Sequence, residues 1–242
     1  GYGRNEDWRK WWPADVHVIG KDILRFHTAI WPGMLFSAGL PLPKAIYVHG
    51  FVNVEGKKIS KSLGNVIDPF ELVKKYGTDA LRYYLLKEIP SGEDGDFSIA
   101  KFEAVYNGEL SNGLGNFAAR VLALAGKHGG LKAVALPKEI DERISAARKK
   151  VEESIKAFRL HEALGVIFDL VHFGDEYINR VKPWETKDKT IILNLVILLD
   201  NIAGLLTPFL PATAEKITKS IVWEKDGTLA IKKGEVLFPR LL

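Results

Sequence analysis

The stretch DVHVIGKDILRFHTAIWPGMLFSAGLPLPKAIYVHG, Asp15–Gly50, decides the fold. It opens on a short β-branched run that stops at Gly20, the pattern of a strand entering a tight turn. Apolar residues at helical spacing follow, and Ala45–Gly50 repeats the strand pattern. Strand, helix and strand in that order predict a parallel α/β unit whose chemistry lies at the carboxyl ends of its strands. Next, FVNVEGKKI (Phe51–Ile59) alternates apolar and polar residues about Glu55-Gly56, which predicts a hairpin because glycine tolerates positive φ. Two short helices are predicted over Asp68–Ile89. Asp68 caps the first with Pro69 behind it, Gly77 ends it, and Thr78 or Asp79 caps the second.

Past PSGEDGDFS (Pro90–Ser98) the grammar changes. Segments near 98–126, 140–159, 161–181, 188–206 and 209–221 carry apolar residues three and four apart, separated by short polar, Gly or Pro connections. The expectation is a parallel α/β region over 1–97 followed by an all-α antiparallel helix bundle over 98–242, mostly α overall; the family resemblance given below makes the first of these a partial Rossmann fold.

Composition narrows the function. Hydrophobic residues at 47% and charged residues at 26% are the balance of a soluble globular protein, and a net charge of +4 leaves any polyanion contact to local placement. There are no cysteines, which excludes disulfides, thiol catalysis and cysteine zinc sites within the chain and suits a cytoplasmic protein. The apolar run Ile191–Leu210 is interrupted by Asn194, Asp200, Asn201 and Pro208, so a buried bundle helix is expected rather than a membrane span. His17 and His49 have no third donor at ligand spacing, and the acidic GEDGD (Gly92–Asp96) lacks the later Glu of a calcium loop; no metal is assigned.

After the hairpin comes KISKS, Lys58–Ser62, between Gly56 and Gly64. Two ammonium groups three residues apart, on a segment that flanking glycines let move, suit charge developing on phosphoryl oxygens; a solvated lysine-rich loop is the plainer reading. KISKS resembles the KMSKS signature of class I aminoacyl-tRNA synthetases, with Ile59 in place of Met. HVIGKDILRFHTAIWP, VHGFVNVEGKKISKSLGNVIDP, YGTDALRYYLLKEIPSGEDGDFS and RVKPWE, in that order, resemble the methionyl-tRNA synthetase family, and the likeness covers nearly the whole chain.

The resemblance implies ATP, as its Mg2+ complex, methionine and tRNA(Met) as substrates and partners. Methionyl-adenylate forms by in-line attack of the methionine carboxylate on the α-phosphate, and methionine then passes to the tRNA 3′ end. It places Lys61 on the ATP phosphates with Lys58 supporting the loop, and makes Ser60 and Ser62 loop-shaping hydroxyls rather than nucleophiles. Gly20, Asp22 and Val52 match the adenosine pocket; an N-capping Asp and an ordinary strand valine are the plainer readings. Ile23 and His27, four apart on one helix face, match the methionine pocket, against the plainer reading of a core stripe Ile23–His27–Ile30. Asn116, Arg120 and Trp184 match the residues that read the CAU anticodon, with Trp184 stacking on a base. The plainer readings are outward-facing helix residues and a hydrophobic plug.

The HIGH signature of the class is absent from the sequence, as are the zinc-bearing insertion, the tryptophan stretch of the methionine pocket and an appended OB-fold. The chain is therefore expected to correspond to the C-terminal portion of such an enzyme. It would be a trimmed polypeptide or one subunit beside a separate N-terminal half, and would not activate methionine alone. Three other readings remain: a leucine-, isoleucine-, valine- or cysteine-specific synthetase of the same class, a non-catalytic tRNA-binding module, and a nucleotidyltransferase without a tRNA role.

Overall fold

The computed structural model describes residues 6–58, 67–128, 130–132, 135–232 and 234–241. The chain forms two compact units, Gly1–Val66 with Ile89–Asp96, and Ile67–Glu88 with Phe97–Leu242. Helical residues 67–88, grouped on sequence with the α/β part, fold into the second unit instead, because their tyrosines are buried among its aromatic side chains.

In the first unit β1 (Val16–Gly20) and β2 (Ala45–His49) pair in parallel, Val16 opposite Ala45 and Gly20 opposite His49. The crossover between them is helical but irregular: a 3-10 turn at Lys21–Ile23, a π-helical turn at Phe26–Ile30, then α1 (Trp31–Ser37). A hairpin follows, β3 (Val52–Val54) and β4 (Lys57–Lys58) antiparallel, turned by Glu55 and Gly56 at φ 51° and 72°. Two successive positive φ values make the tight turn whose twist matches the strands. The returning β5 (Gly95–Phe97) adds to β3 on the side away from β4.

The second unit begins with α2 (Pro69–Tyr76), where Asp68 accepts from the Phe70 N–H and Gly77, at φ 89°, ends the helix. Asp79 stands in the first turn of α3 (Thr78–Glu88), yet its carboxylate accepts from the Thr213 N–H at 2.6 Å, capping a helix 134 residues away. Ser98 caps α4 (Ile99–Val105), which runs through a π-helical stretch, Tyr106–Gly115, into α5 (Asn116–Ala125). Helices α6 (Lys138–Lys156), α7 (Leu160–Val181), the four-residue α8 (Pro183–Thr186), α9 (Lys189–Leu206) and α10 (Pro211–Ser220) complete the bundle. The short β6 (Leu131–Lys132) pairs with β8 (Thr228–Ile231), which pairs with β7 (Ile221–Trp223); sequence reading assigned no strand here.

Tyr83, Phe102, Leu114, Phe117, Val121, Ile140, Ile167, Ile178 and Leu199 form the floor of this unit's core, each almost completely buried. Tyr84 stacks edge-on with Phe97 at 5.0 Å, and Tyr83 lies 4.6 Å from Phe168. Helix α9 is long and apolar enough to cross a membrane by composition, but it packs against α5, α6, α7 and α10 with its apolar side buried. Gly174 on α7 lets Phe117 pass: a Cβ there would stand 2.4 Å from Phe117 Cζ and 3.1 Å from Leu198 Cδ2.

Candidate functional site

The residues singled out from the sequence fall into two sets, one in each unit. In the first unit β1 and β2 end together, so Gly20 faces His49 across the ladder. The missing side chain at Gly20 is what lets Asp22 fold back over the strand end: a Cβ at Gly20 would lie 2.6 Å from Asp22 Oδ1 and 3.7 Å from His49 Cε1. An exposed carboxylate beside a bare strand end can accept hydrogen bonds from ribose hydroxyls while backbone approaches the ligand. Val52 opens β3, and its neighbour Phe51 is drawn to the same place. Lys21 Nζ lies 4.6 Å above the Phe51 ring and pairs with Asp94 at 2.6 Å, and Asp94 accepts from the Phe51 N–H at 2.8 Å. The Lys21 ammonium, then the Phe51 N–H, hold the Asp94 carboxyl below the usual carboxylate range.

On the crossover, His27 Nδ1 bonds the carbonyl of Ile23 at 3.0 Å, which leaves the ring's other nitrogen for a ligand. Ile23 and Ile30 are both partly exposed. The His27 ring meets His17 edge-on at 6.0 Å, His17 lies 5.7 Å from Trp12, and Trp12 meets Trp31 at 5.9 Å. His17 Nδ1 and Trp31 Nε1 are buried without hydrogen-bond partners. This aromatic group around His27 was not singled out from the sequence. Lys58 lies in β4 opposite Asn53, whereas Ile59, Ser60, Lys61 and Ser62 lie outside the described residues.

In the second unit Asn116 is the first residue of α5, exposed directly after the π-helical stretch, and Arg120 stands one turn on. Arg120 does not wave free. Its Nη1 donates to Asp175 at 2.5 Å and its Nη2 to Asn179 at 2.6 Å, two residues one turn apart on α7. The guanidinium lies 5.8 Å from the Trp184 ring centroid, and Trp184 is 45% exposed. Trp184 owes its position to the chain path: Lys182 and Lys187 both take left-handed φ, 44° and 52°, and bracket α8 with buried Pro183 at its start. A half-exposed indole, a fixed guanidinium and an amide on one surface offer a stacking platform with edge donors, as an unstacked base requires. Asp175 and Asn179 were not picked out from sequence; their four-residue spacing on an amphipathic helix was the available signal.

Among the described residues no group of three His, Asp or Glu side chains is placed to hold a metal ion.

Residues 2–122 match the family model for class I tRNA synthetases (M), and residues 137–237 match the anticodon-binding domain of tRNA ligases. The chain therefore belongs to the M family of class I tRNA synthetases. The particular enzyme it is similar to is consistent across relatives. It is 43% identical over its whole length to the methionine–tRNA ligase of Clostridium acetobutylicum and 39% identical, over 93% of the chain, to that of Thermotoga maritima. Among solved structures, Mycobacterium tuberculosis methionyl-tRNA synthetase bound by methionyl-adenylate superposes with a TM-score of 0.88 at 30% identity, covering 99% of this chain and 53% of that one. The apo form of that protein gives a TM-score of 0.82 at 29% identity. The chain spans 42% of the Clostridium acetobutylicum relative's length.

Proposed function

We propose that this chain serves a methionine–tRNA ligase in two capacities: one side of the ATP- and methionine-binding site, and the reader of the tRNA(Met) anticodon. The observation that carries the reading is the Asn116–Arg120–Trp184 surface, with Arg120 fixed in advance by Asp175 and Asn179. Holding the fork before RNA arrives lowers the ordering cost of binding. In such an interface Trp184 stacks on a base of CAU while Asn116 and Arg120 bond base edges.

In the first unit Gly20, Asp22 and Val52 serve the adenosine, and Ile23 with His27 serve the methionine side chain. Lys61 meets the triphosphate and Lys58 supports the loop, with Ser60 and Ser62 shaping it. The substrate carboxylate attacks the α-phosphorus in line, the α–β phosphoanhydride bond breaks, and pyrophosphate leaves with the Mg2+ that accompanied ATP. No protein nucleophile is needed; position and fixed positive charge lower the barrier. Support for a further part of the catalytic fold comes from the first unit itself, where Val18, Phe26, Met34 and Phe36 are largely exposed. That part acts in the same polypeptide or as a second subunit, in the cytoplasm where tRNA is charged.

The test is a titration of this chain with anticodon stem-loops. A CAU loop is expected to bind at least tenfold more tightly than a GAU loop of the same stem, with quenching of Trp184 fluorescence. Equal affinity for both loops would leave a sequence-blind RNA module. ATP–pyrophosphate exchange that survives Lys61→Ala would remove the catalytic half of the reading.

A further inference from the structure

The acidic loop Gly92–Asp96 has no part in the function just proposed, and three carboxylates near a triphosphate site would repel it. The structure shows what two of them hold. Asp94 accepts from the Phe51 N–H at 2.8 Å, where the hairpin begins, and Asp96 accepts from the Gly56 N–H at 2.7 Å, in the hairpin's left-handed turn. Between them the Gly95 N–H donates to the Phe51 carbonyl at 2.8 Å. The approach is close enough to exclude a side chain at Gly50, where a Cβ would stand 2.0 Å from the Glu93 carbonyl oxygen. Asp94 also takes Lys21 Nζ at 2.6 Å, and Lys21 lies between Gly20 and Asp22.

The ribbon that leads to Lys58 is short, two residues of β4 against three of β3. Strand β4 pairs with β3, and β3 is held on its other side by β5, the strand that carries Asp96 between Gly95 and Phe97. Hydrogen bonds to ionised acceptors are roughly twice as strong as neutral ones. The grip at the start and at the turn therefore adds two charge-assisted anchors to that ladder, one at each end of β3.

We propose that Asp94 and Asp96 are positioning residues for adenylate formation. They fix the angle of the ribbon that ends in Lys58, and through Lys21 they couple that angle to the Gly20–Asp22 turn on the nucleoside side. Neither carboxylate touches substrate. The inference rests on the synthetase reading above, and its test is built to fail separately from it.

ATP–pyrophosphate exchange is measured in the active synthetase for Asp96→Ala, Asp96→Asn, Asp94→Asn and Lys61→Ala, with amide exchange at Phe51 and Gly56 recorded for each. Asp96→Ala is expected to lower kcat about tenfold while leaving the KM for methionine within about twofold. In Asp96→Asn the side-chain oxygen still accepts from the Gly56 N–H, so most of the kcat returns. Asp94→Asn keeps an acceptor for Phe51 but loses the ion pair to Lys21, and kcat falls severalfold. A kcat unchanged in Asp96→Ala despite lost protection at Gly56 overturns the proposal, as does an Asn variant no better than Ala. Should Asp96→Ala fail to fold, an Asp94→Asn enzyme with the parental kcat overturns it equally. If Lys61→Ala leaves exchange intact, the synthetase reading itself falls; if only the Lys61 variant loses activity, the positioning role alone falls.

Discussion

Replacing Arg120 tests the proposed base-reading role of the Asn116–Arg120–Trp184 surface most directly. A guanidinium bidentate to a base edge is worth about 1–3 kcal/mol of discrimination, so Arg120→Ala should weaken a CAU stem-loop by about 5- to 150-fold. The structure adds a second perturbation. Asp175 and Asn179 hold the two terminal guanidinium nitrogens at 2.5 and 2.6 Å, so an Asp175→Ala, Asn179→Ala double variant keeps the cation but leaves it to be ordered on binding. Ordering one long side chain costs about 0.5–1.5 kcal/mol, which predicts a loss of about 2- to 10-fold. That sign is informative, because removing an anion near RNA would by itself strengthen binding. Lysine at 120 should not restore affinity, since it lacks the planar fork. The assay is fluorescence titration with CAU and GAU loops between about 50 and 200 mM salt. A base contact leaves the salt slope unchanged and erodes the preference for CAU. If Arg120→Ala instead weakens both loops equally and reduces the slope by about 1, Arg120 touches phosphate and the base-reading argument is refuted.

Gly174→Ala should cost about 1–3 kcal/mol despite alanine's better helix propensity, because its Cβ would lie 2.4 Å from the buried Phe117 ring; Phe117→Leu in the same chain should recover part of the lost Tm. Gly50→Ala sets a Cβ against backbone at 2.0 Å, so slowed amide exchange at Phe51 should disappear in that variant while α7 and α9 keep theirs. The depressed Asp94 carboxyl contributes stability that is present above the unfolded value of about 3.9 and is lost as pH falls through the lower folded value. Carboxyl NMR titration should place its midpoint below about 3.9, and a midpoint at or above that value would contradict the Lys21 ion pair.

Much of this was legible in the sequence where local chemistry dictates local shape. The β-branched runs ending at Gly20 and Gly50, the Glu55-Gly56 turn and the Asp68-Pro69 start to Gly77 stop each follow from one or two residues' backbone preferences, and the structure shows them. The π-helical stretch Tyr106–Gly115 was not legible, since wider turns arise from packing and leave no separate periodicity. The β7–β8 hairpin had a signal in Asp226-Gly227, but its strands are too short for alternation to stand out. The partners of Arg120 lie 55 and 59 residues away, and those of Asp94 and Asp96 lie 43 and 40 residues away; only tertiary packing names them. Asp79 shows the limit of local rules: it occupies a capping position for its own helix and caps another.

The path of the polypeptide between the two units has a consequence for how such a protein can be divided or inherited. The chain leaves the first unit after Val66, returns at Ile89, and leaves again after Asp96. No single scission therefore separates the two units cleanly, since every cut leaves a segment of one attached to the other. A piece starting at residue 98 would shed Tyr76, Tyr83 and Tyr84 and bare the rings of Phe102 and Phe168 that they cover. Recombination at that point would part those rings, so a boundary placed there cuts through one core rather than between two.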